Sequence, residues 1–161
     1  MSTASLNLKI SVSGVRGVVG DALTPSLAAD FAAAFGEYVG RGRVVIGRDT
    51  RPTGPLFEHA VISGLLSVGC QPALAGIVPT PTVQIVVDQI HASGGIILSA
   101  SHNPPEWNAL KFVGPNGSFL TERESGELLN LYNQPVRAFV EELEYRHLRT
   151  METAFDLHRE R

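Results

Sequence analysis

Gly95-Ile96-Ile97-Leu98-Ser99-Ala100-Ser101-His102-Asn103-Pro104-Pro105 is an apolar run that breaks directly into polar residues and two prolines. Gly95 to Ser99 shows no polar alternation, which predicts a strand buried on both faces. Two similar strands lie upstream, Val44 to Ile46 and Gln71 to Ala75. Helical spacing separates them. Pro55 to about Val68 forms one helix. Thr80-Pro81, followed by Val83, Val86, Val87 and Ile90 on one face, opens another. An earlier helix starts at Thr24-Pro25, an N-cap with proline at the first helical position, and carries Leu27, Phe31, Phe35 and Val39. Strand, helix, strand, helix, strand predicts a parallel βαβαβ core.

The flanks make that sheet mixed. Leu6, Leu8, Ile10 and Val12 alternate with polar residues, as in a half-buried strand. The segment Gly14-Val15-Arg16-Gly17-Val18-Val19-Gly20 reads as a glycine-punctuated loop. Residues 109–113 read as a strand closed by the turn Pro115-Asn116-Gly117, and Thr121 with Glu124 reads as a capping box for a last helix through Leu128, Leu129 and Tyr132. The expected fold is α/β, a three-layer α/β/α arrangement around a mixed, mainly parallel sheet. Residues 1–133 are expected to form this domain. Residues 134–161 are charged and thinly apolar, and read as a helical linker toward a further domain, with an apolar stripe that nothing in the chain covers.

Composition narrows the function. The 161 residues carry a net charge of −3 and are 43% hydrophobic, enough for one ordinary domain with a core and without the basic footprint of a nucleic-acid binder. Eleven of the 13 basic residues are Arg; only Lys9 and Lys111 are Lys. No apolar run reaches the roughly 20 residues that span a bilayer, and the first residues lack the apolar centre of a signal peptide. The single cysteine, Cys70, sits among Leu65, Leu66 and Val68 and reads as a buried structural thiol. These features lead us to expect a cytoplasmic protein with no membrane and no nucleic-acid partner.

Ligands of parallel α/β sheets bind beyond the carboxyl ends of the strands. Three loops leave such ends here, 47–54, 76–81 and 100–107. The third presents Ser101, stiffened by the prolines that follow. A rigid turn that holds out a serine suits a nucleophile or a phosphate carrier; a serine beside His and Asn is also what an ordinary turn contains. His102 is adjacent. If 109–113 is a strand, Lys111 lies on the face opposite Leu110 and Phe112. The loop holds no G-x-S-x-G elbow and no S-x-x-K motif. A serine hydrolase would need a His and an acid aimed at Ser101, and His102, its neighbour in sequence, is expected to diverge from it. The 14–20 segment matches neither a dinucleotide-binding nor a Walker pattern. Arg48, Asp49 and Arg51 are expected to brace the surrounding loops through ion pairs.

Ser99-Ala100-Ser101-His102-Asn103-Pro104-Pro105-Glu106-Trp107-Asn108-Ala109-Leu110-Lys111 resembles the phosphoserine loop of the α-D-phosphohexomutases, T-A-S-H-N-P-x-x-x-N-G-x-K. That family includes phosphoglucomutases, phosphomannomutases and phosphoglucosamine mutases. Ser13-Gly14-Val15-Arg16-Gly17, Gly47-Arg48-Asp49-Thr50-Arg51-Pro52 and Val78-Pro79-Thr80-Pro81 resemble three further motifs of the family, in the same order. Ser99 stands where the family has Thr and Ala109 where it has Gly; neither change removes a reacting group.

The resemblance implies the first domain of a four-domain hexose-phosphate mutase, an intramolecular phosphotransferase that interconverts sugar 1-phosphate and 6-phosphate through a bisphosphate. It implies Ser101 as the phosphocarrier and Arg16, His102 and Lys111 around the transferring phosphate. Lys111 and Arg16 are the candidates for proton transfer. Arginine releases a proton poorly, which favours charge stabilisation for Arg16. Asn103, Asn108, Gly14 and Gly17 would shape and position the loops. The family's Mg²⁺ is held by the phosphate on Ser101 and a D-x-D-x-D loop of the second domain. Here Asp21, Asp30, Asp49, Asp88 and Asp156 are isolated, and one phosphate oxygen is a poor octahedral site. The implied partners are a hexose phosphate, a hexose bisphosphate activator and the remaining domains. The isolated chain is expected to be inactive and able to self-associate. The alternative is a stand-alone module that binds a sugar phosphate or a protein without catalysis.

Overall fold

The computed structural model describes residues 8–11, 14–134, 139–141 and 147–159. In chain order the elements are β1 (Lys9–Ser11), β2 (Gly14–Val18), α1 (Pro25–Tyr38), β3 (Arg43–Arg48), α2 (Gly54–Ser67), β4 (Gln71–Ile77), α3 (Thr80–Gln89), β5 (Gly94–Leu98), β6 (Trp107–Val113), α4 (Glu122–Tyr132), β7 (Arg149–Thr150) and α5 (Ala154–Arg159). The strands form one sheet in the order β1-β2-β6-β5-β3-β4-β7. Strands β5, β3, β4 and β7 run parallel, while β6 is antiparallel to both β5 and β2, and β1 is antiparallel to β2. The sheet is therefore mixed, as expected.

Alternation along the central strands divides the core into two layers. Val44, Ile46, Ile96, Leu98, Leu110 and Phe112 face α1, α2 and α4, where Phe31, Phe35, Phe57, Leu65 and Leu128 meet them. Val45, Ile97 and Val113 face the other way, onto Val83, Val86 and Val87 of α3 and Ala154 of α5. Helices α1 and α2 pack closely because Gly64 offers no side chain: a Cβ there would come within 2.2 Å of the Ala29 carbonyl oxygen. Helix α4 is tied down by Tyr132, whose ring stacks on Phe31 at 3.8 Å and 6°. Cys70 is buried, as its apolar neighbours predict.

Helix signals read from sequence hold at two ends. The Thr24 side chain accepts from Leu27 N–H at 3.2 Å, and the Thr121/Glu124 capping box is complete. At α3 the reading needs correction. Thr80 is the first helical residue, the N-cap is Pro79, and no side chain caps the helix.

Two further expectations change. The segment expected to be a loop from Gly14 begins as strand β2, paired through Val15–Leu110, Arg16–Ala109, Gly17–Asn108 and Val18–Trp107. Gly14, at φ +107°, sits where a Cβ would lie 2.0 Å from the Leu110 carbonyl oxygen. The glycine lets two backbones meet, rather than marking a flexible turn. Of the strand expected over 6–13, β1 keeps only Lys9 to Ser11, all exposed, with Ile10 45% exposed; residues 6, 7, 12 and 13 lie outside the described residues.

The tail also departs from a bare helical linker. Residues 149–150 add a parallel strand to the β4 edge, and Met151 N–H donates to the Leu74 carbonyl at 2.7 Å. Residues 154–159 then pack against α3, with Ala154 buried and Met151 and Leu157 half-buried beside it. Of the apolar stripe, Met151 and Leu157 are thus partly covered by this chain, whereas Phe139, Leu148 and Phe155 stay exposed. The readings for 135–138, 142–146 and 160–161 lie outside the described residues.

Candidate active site

Strand β3 is the switch point of the sheet. The chain leaves it through α2 to β4 on one side, and returns through α3 to β5 on the other. The loops that follow β3 and β5 therefore emerge side by side, the usual place for a ligand in an open α/β sheet. The β5 loop carries Ser101.

Ser101 is exposed and sits at φ +56°, in the left-handed region that non-glycine residues seldom occupy. Local bonds fold the loop around it. Ser99 N–H donates to the Ala109 carbonyl at 3.1 Å, and Ser101 N–H donates to Ser99 Oγ at 3.2 Å. Asn103 donates to the Ala100 carbonyl twice, from its backbone at 3.1 Å and from Nδ2 at 2.8 Å. Trp107 N–H closes the second turn on the Pro104 carbonyl at 3.0 Å. The small Ser99 serves the loop through its hydroxyl, a use its position alone does not reveal. His102 is exposed, and its Nδ1 lies 3.3 Å from Ser101 Oγ, so the ring turns toward the serine rather than diverging from it as expected.

The neighbouring β3 loop braces this one. Arg51 donates to the carbonyls of Ser101 (3.0 Å), Asn103 (2.7 Å), Pro104 (2.7 Å) and Trp107 (3.0 Å). It also pairs with Asp49 at 3.2 Å. Sequence reasoning expected bracing by ion pairs; the main contacts are instead to backbone carbonyls. Those acceptors lie 50 to 56 residues away and leave no side-chain signature in the sequence. Asn108, expected to shape a loop, is a fully buried residue of β6 that donates from Nδ2 to Thr53 Oγ1 at 3.0 Å. Arg48 works elsewhere. Its Nε faces Glu58 of α2 at 3.3 Å, off the line of a hydrogen bond.

Register places the cations. Residues opposite one another in an antiparallel pair share a sheet face. Lys9 is opposite Arg16, Arg16 is opposite Ala109, and Lys111 is opposite Ile97. Lys9, Arg16 and Lys111 therefore project from one face, the face that α3 covers farther along and on which Ile97 is buried. Leu110 and Phe112 point into the opposite layer, as alternation predicts. Arg16 is exposed and Lys111 half-buried. Lys9 Nζ lies 5.8 Å from the centre of the Trp107 ring. No carboxylate among the described residues pairs with any of the three. Like charges left facing each other on adjacent strands are unfavourable without a counter-ion, so this face is suited to an anion such as phosphate. Gly17 lies in the β2–β6 ladder opposite Asn108, and Gly14 pairs with Ser11 of β1 while its backbone closely approaches the Leu110 carbonyl.

Among the described residues no group of three or more His, Cys, Asp and Glu side chains could hold a metal ion. A cleft of about 330 Å³ lined by Arg43, Arg149, Met151 and Glu152 lies at the β7 edge and shares no residue with the Ser101 loop. No helix among the described residues is long and apolar enough to cross a membrane.

Comparison with known proteins gives a consistent result. Residues 7–137 match the family profile described as phosphoglucomutase/phosphomannomutase, alpha/beta/alpha domain I. The chain is 47% identical over 118 residues to a phosphoglucomutase/phosphomannomutase of Thermococcus kodakarensis, covering 70% of this chain and 26% of that protein. It is 48% identical over 100 residues to a phosphoglucosamine mutase of Thermotoga sp. (strain RQ2), covering 62% and 23%. A solved phosphoglucomutase/phosphomannomutase family protein from Burkholderia thailandensis superposes with a TM-score of 0.73 at 25% identity, covering 92% of this chain and 35% of that one. The chain spans about a quarter of the length of the curated relatives it matches.

Proposed function

The chain belongs to the phosphoglucomutase/phosphomannomutase family, to its alpha/beta/alpha domain I, and from that premise we propose that it is the phosphoserine-bearing domain of a hexose-phosphate mutase. The reading is carried by one observation. Ser101 is held out at φ +56° past the end of β5, and strands β2 and β6 project Arg16 and Lys111 from a single sheet face with no carboxylate partner among the described residues.

In this reading Ser101 carries a phosphoryl group. A hydroxyl of a hexose phosphate attacks phosphorus, the bond to Ser101 Oγ breaks, and a hexose bisphosphate forms as the hydroxyl proton passes to a base. After the bisphosphate turns over, Ser101 Oγ attacks its other phosphate and the isomeric monophosphate leaves. Charge spreads over the phosphoryl oxygens during transfer, so catalysis rests on placed cations and donors. Arg16 is assigned to charge stabilisation, because it keeps its proton. Lys111 is assigned to the phosphate and to the proton, and His102 to the edge of the phosphate. Asn103 and Asn108 hold the loop. Mg²⁺ would take one oxygen from the phosphate on Ser101 and its remaining ligands from a further domain. Consequently the 161 residues alone are expected to give no mutase turnover.

Intact-mass analysis of the protein from its own host tests the reading. A species about 80 Da heavier, mapped to Ser101 and absent from Ser101→Ala, is the expected result. An unmodified Ser101 that also gains no mass from a hexose 1,6-bisphosphate overturns the phosphocarrier role. Hexose-phosphate binding without that gain would point to a non-catalytic binding module.

A further inference from the structure

A guanidinium has five N–H donors in a planar fork, and Arg51 uses all of them inside the protein. Nε points to Asp49 Oδ2 at 3.2 Å. Nη1 serves the carbonyls of Pro104 and Trp107, and Nη2 those of Ser101 and Asn103. The backbone N–H of Arg51 meets Asp49 Oδ1 at 3.0 Å, so a single carboxylate fixes both the turn and the side chain that leaves it. The Arg51 side chain is only 11% exposed.

Three of the four carbonyls, those of Ser101, Asn103 and Pro104, lie between β5 and β6 outside any strand, and the fourth is that of Trp107, the first residue of β6. All of them converge on one cation, and the first is that of Ser101. Turning the Ser101 backbone out of its left-handed conformation would redirect this carbonyl away from Nη2. The geometry points to Arg51 as a positioning residue that pre-sets the direction of Ser101 Oγ. It contacts the serine only through its main chain, so it acts through Ser101 and is not itself a catalytic group. Lysine cannot take its place, since an ammonium has three donors and no fork to span four diverging carbonyls. The consequence for phosphoryl transfer rests on the function proposed above; the hold on the loop rests on geometry alone.

Two measurements on the 161-residue chain test this. The first is amide hydrogen exchange in Arg51→Lys. The Asn103 and Trp107 amides should exchange faster by about tenfold or more, while Ile96, Ile97 and Phe112 keep their protection. Asp49→Asn, which leaves Arg51 in place but removes its orienting charge, should give a smaller increase at the same amides and guards against a folding defect in the first variant. The second is a ³¹P titration of the chain carrying genetically encoded phosphoserine at 101. His102 contacts Ser101, and Lys9, Arg16 and Lys111 project from one face of the sheet that carries its loop. The wild type should titrate below the ordinary second pKa of about 6, and Arg51→Lys should move it back toward that value. Unchanged loop exchange in both variants overturns the positioning role, as does, where the wild type titrates below the ordinary value, a titration that Arg51→Lys leaves unchanged. A wild-type titration at the ordinary value counts against the phosphocarrier reading alone, because the exchange data still decide whether Arg51 sets the loop.

Discussion

Asn108 Nδ2 donates to Thr53 Oγ1 at 3.0 Å, joining the first strand residues after the serine loop to the start of α2. Asn108 is fully buried. Its Oδ1 also accepts from Ala109 N–H at 2.8 Å. This contact and the Arg51 fork are two independent ties between the β3 and β5 loops. Asn108→Ala is expected to cost about 1–3 kcal/mol, because it removes a buried donor and leaves Thr53 to find another partner. Urea denaturation measures that loss. Stability equal to wild type would show that the tie contributes nothing.

Ser101 at φ +56° occupies a conformation that costs an L-residue roughly 1–2 kcal/mol. Ser101→Gly should therefore stabilise the fold by up to about 1 kcal/mol, whereas Ser101→Ala, which keeps the steric cost, should not. Both should abolish any phosphoryl load on residue 101. Equal denaturation midpoints for the two variants would mean that no strain is stored at this position.

Three helices end in the same double bond. Gly40 N–H meets the Glu37 carbonyl and Arg41 N–H that of Gly36; Gly69 meets Leu66 and Cys70 meets Leu65; His91 meets Asp88 and Ala92 meets Val87. In each, the first residue of the pair takes a left-handed conformation, at φ +75°, +84° and +50°. Glycine fills that position after α1 and α2, but α3 has the exposed His91 there. His91→Gly should raise stability by about 1 kcal/mol, or about 2–4 °C in Tm for a domain of this size. Calorimetry showing no rise would indicate that His91 makes a compensating contact.

These cases mark what a sequence can disclose. Thr24-Pro25 and Thr121/Glu124 act through neighbours three residues away, so their meaning is local and legible. The Ser101 loop is legible because a buried strand runs into polar residues and prolines. Gly14 misleads, since its glycine answers to the Leu110 carbonyl, 96 positions along the chain; read locally, it looks like a loop. The Arg51 fork hides for the same reason, because its acceptors are carbonyls that every residue possesses. Strand β7 escapes notice since two residues, Arg149 and Thr150, carry no period.

Glu124 gives the fold an acid-sensitive edge. The Thr121 backbone N–H, and then the Thr121 hydroxyl, hold its carboxyl below the usual 4.5. A carboxyl with a depressed folded pKa adds stability that is present above its unfolded value and lost as pH falls through the folded one. The capping contribution should accordingly persist at neutral pH and fade below about pH 4.5. Glu124→Gln keeps a hydrogen-bonding side chain without the charge. Its deficit relative to wild type in thermal melts should shrink between pH 7 and pH 3; a constant deficit would show that the charge plays no part.

The tail raises the question of where the domain ends. Thr82 is fully buried in α3, and its hydroxyl lies 2.6 Å from His158 Nδ1 in α5. Strand β7 covers the β4 edge, and an uncovered edge is a template for pairing with another chain. Residues 149–159 therefore pack on β4 and α3, even though 134–161 reads as a linker by composition. Removing residues 147–161 should lower Tm, because it bares that edge and opens the pocket filled by Ala154. Sedimentation should then detect stronger self-association than in the 161-residue chain. Thr82→Val, which spares the edge but breaks the link to His158, should cost about 1 kcal/mol without changing the sedimentation. A truncated chain that is as stable as the 161-residue chain and no more self-associated would show that residues 149–159 add nothing to this domain.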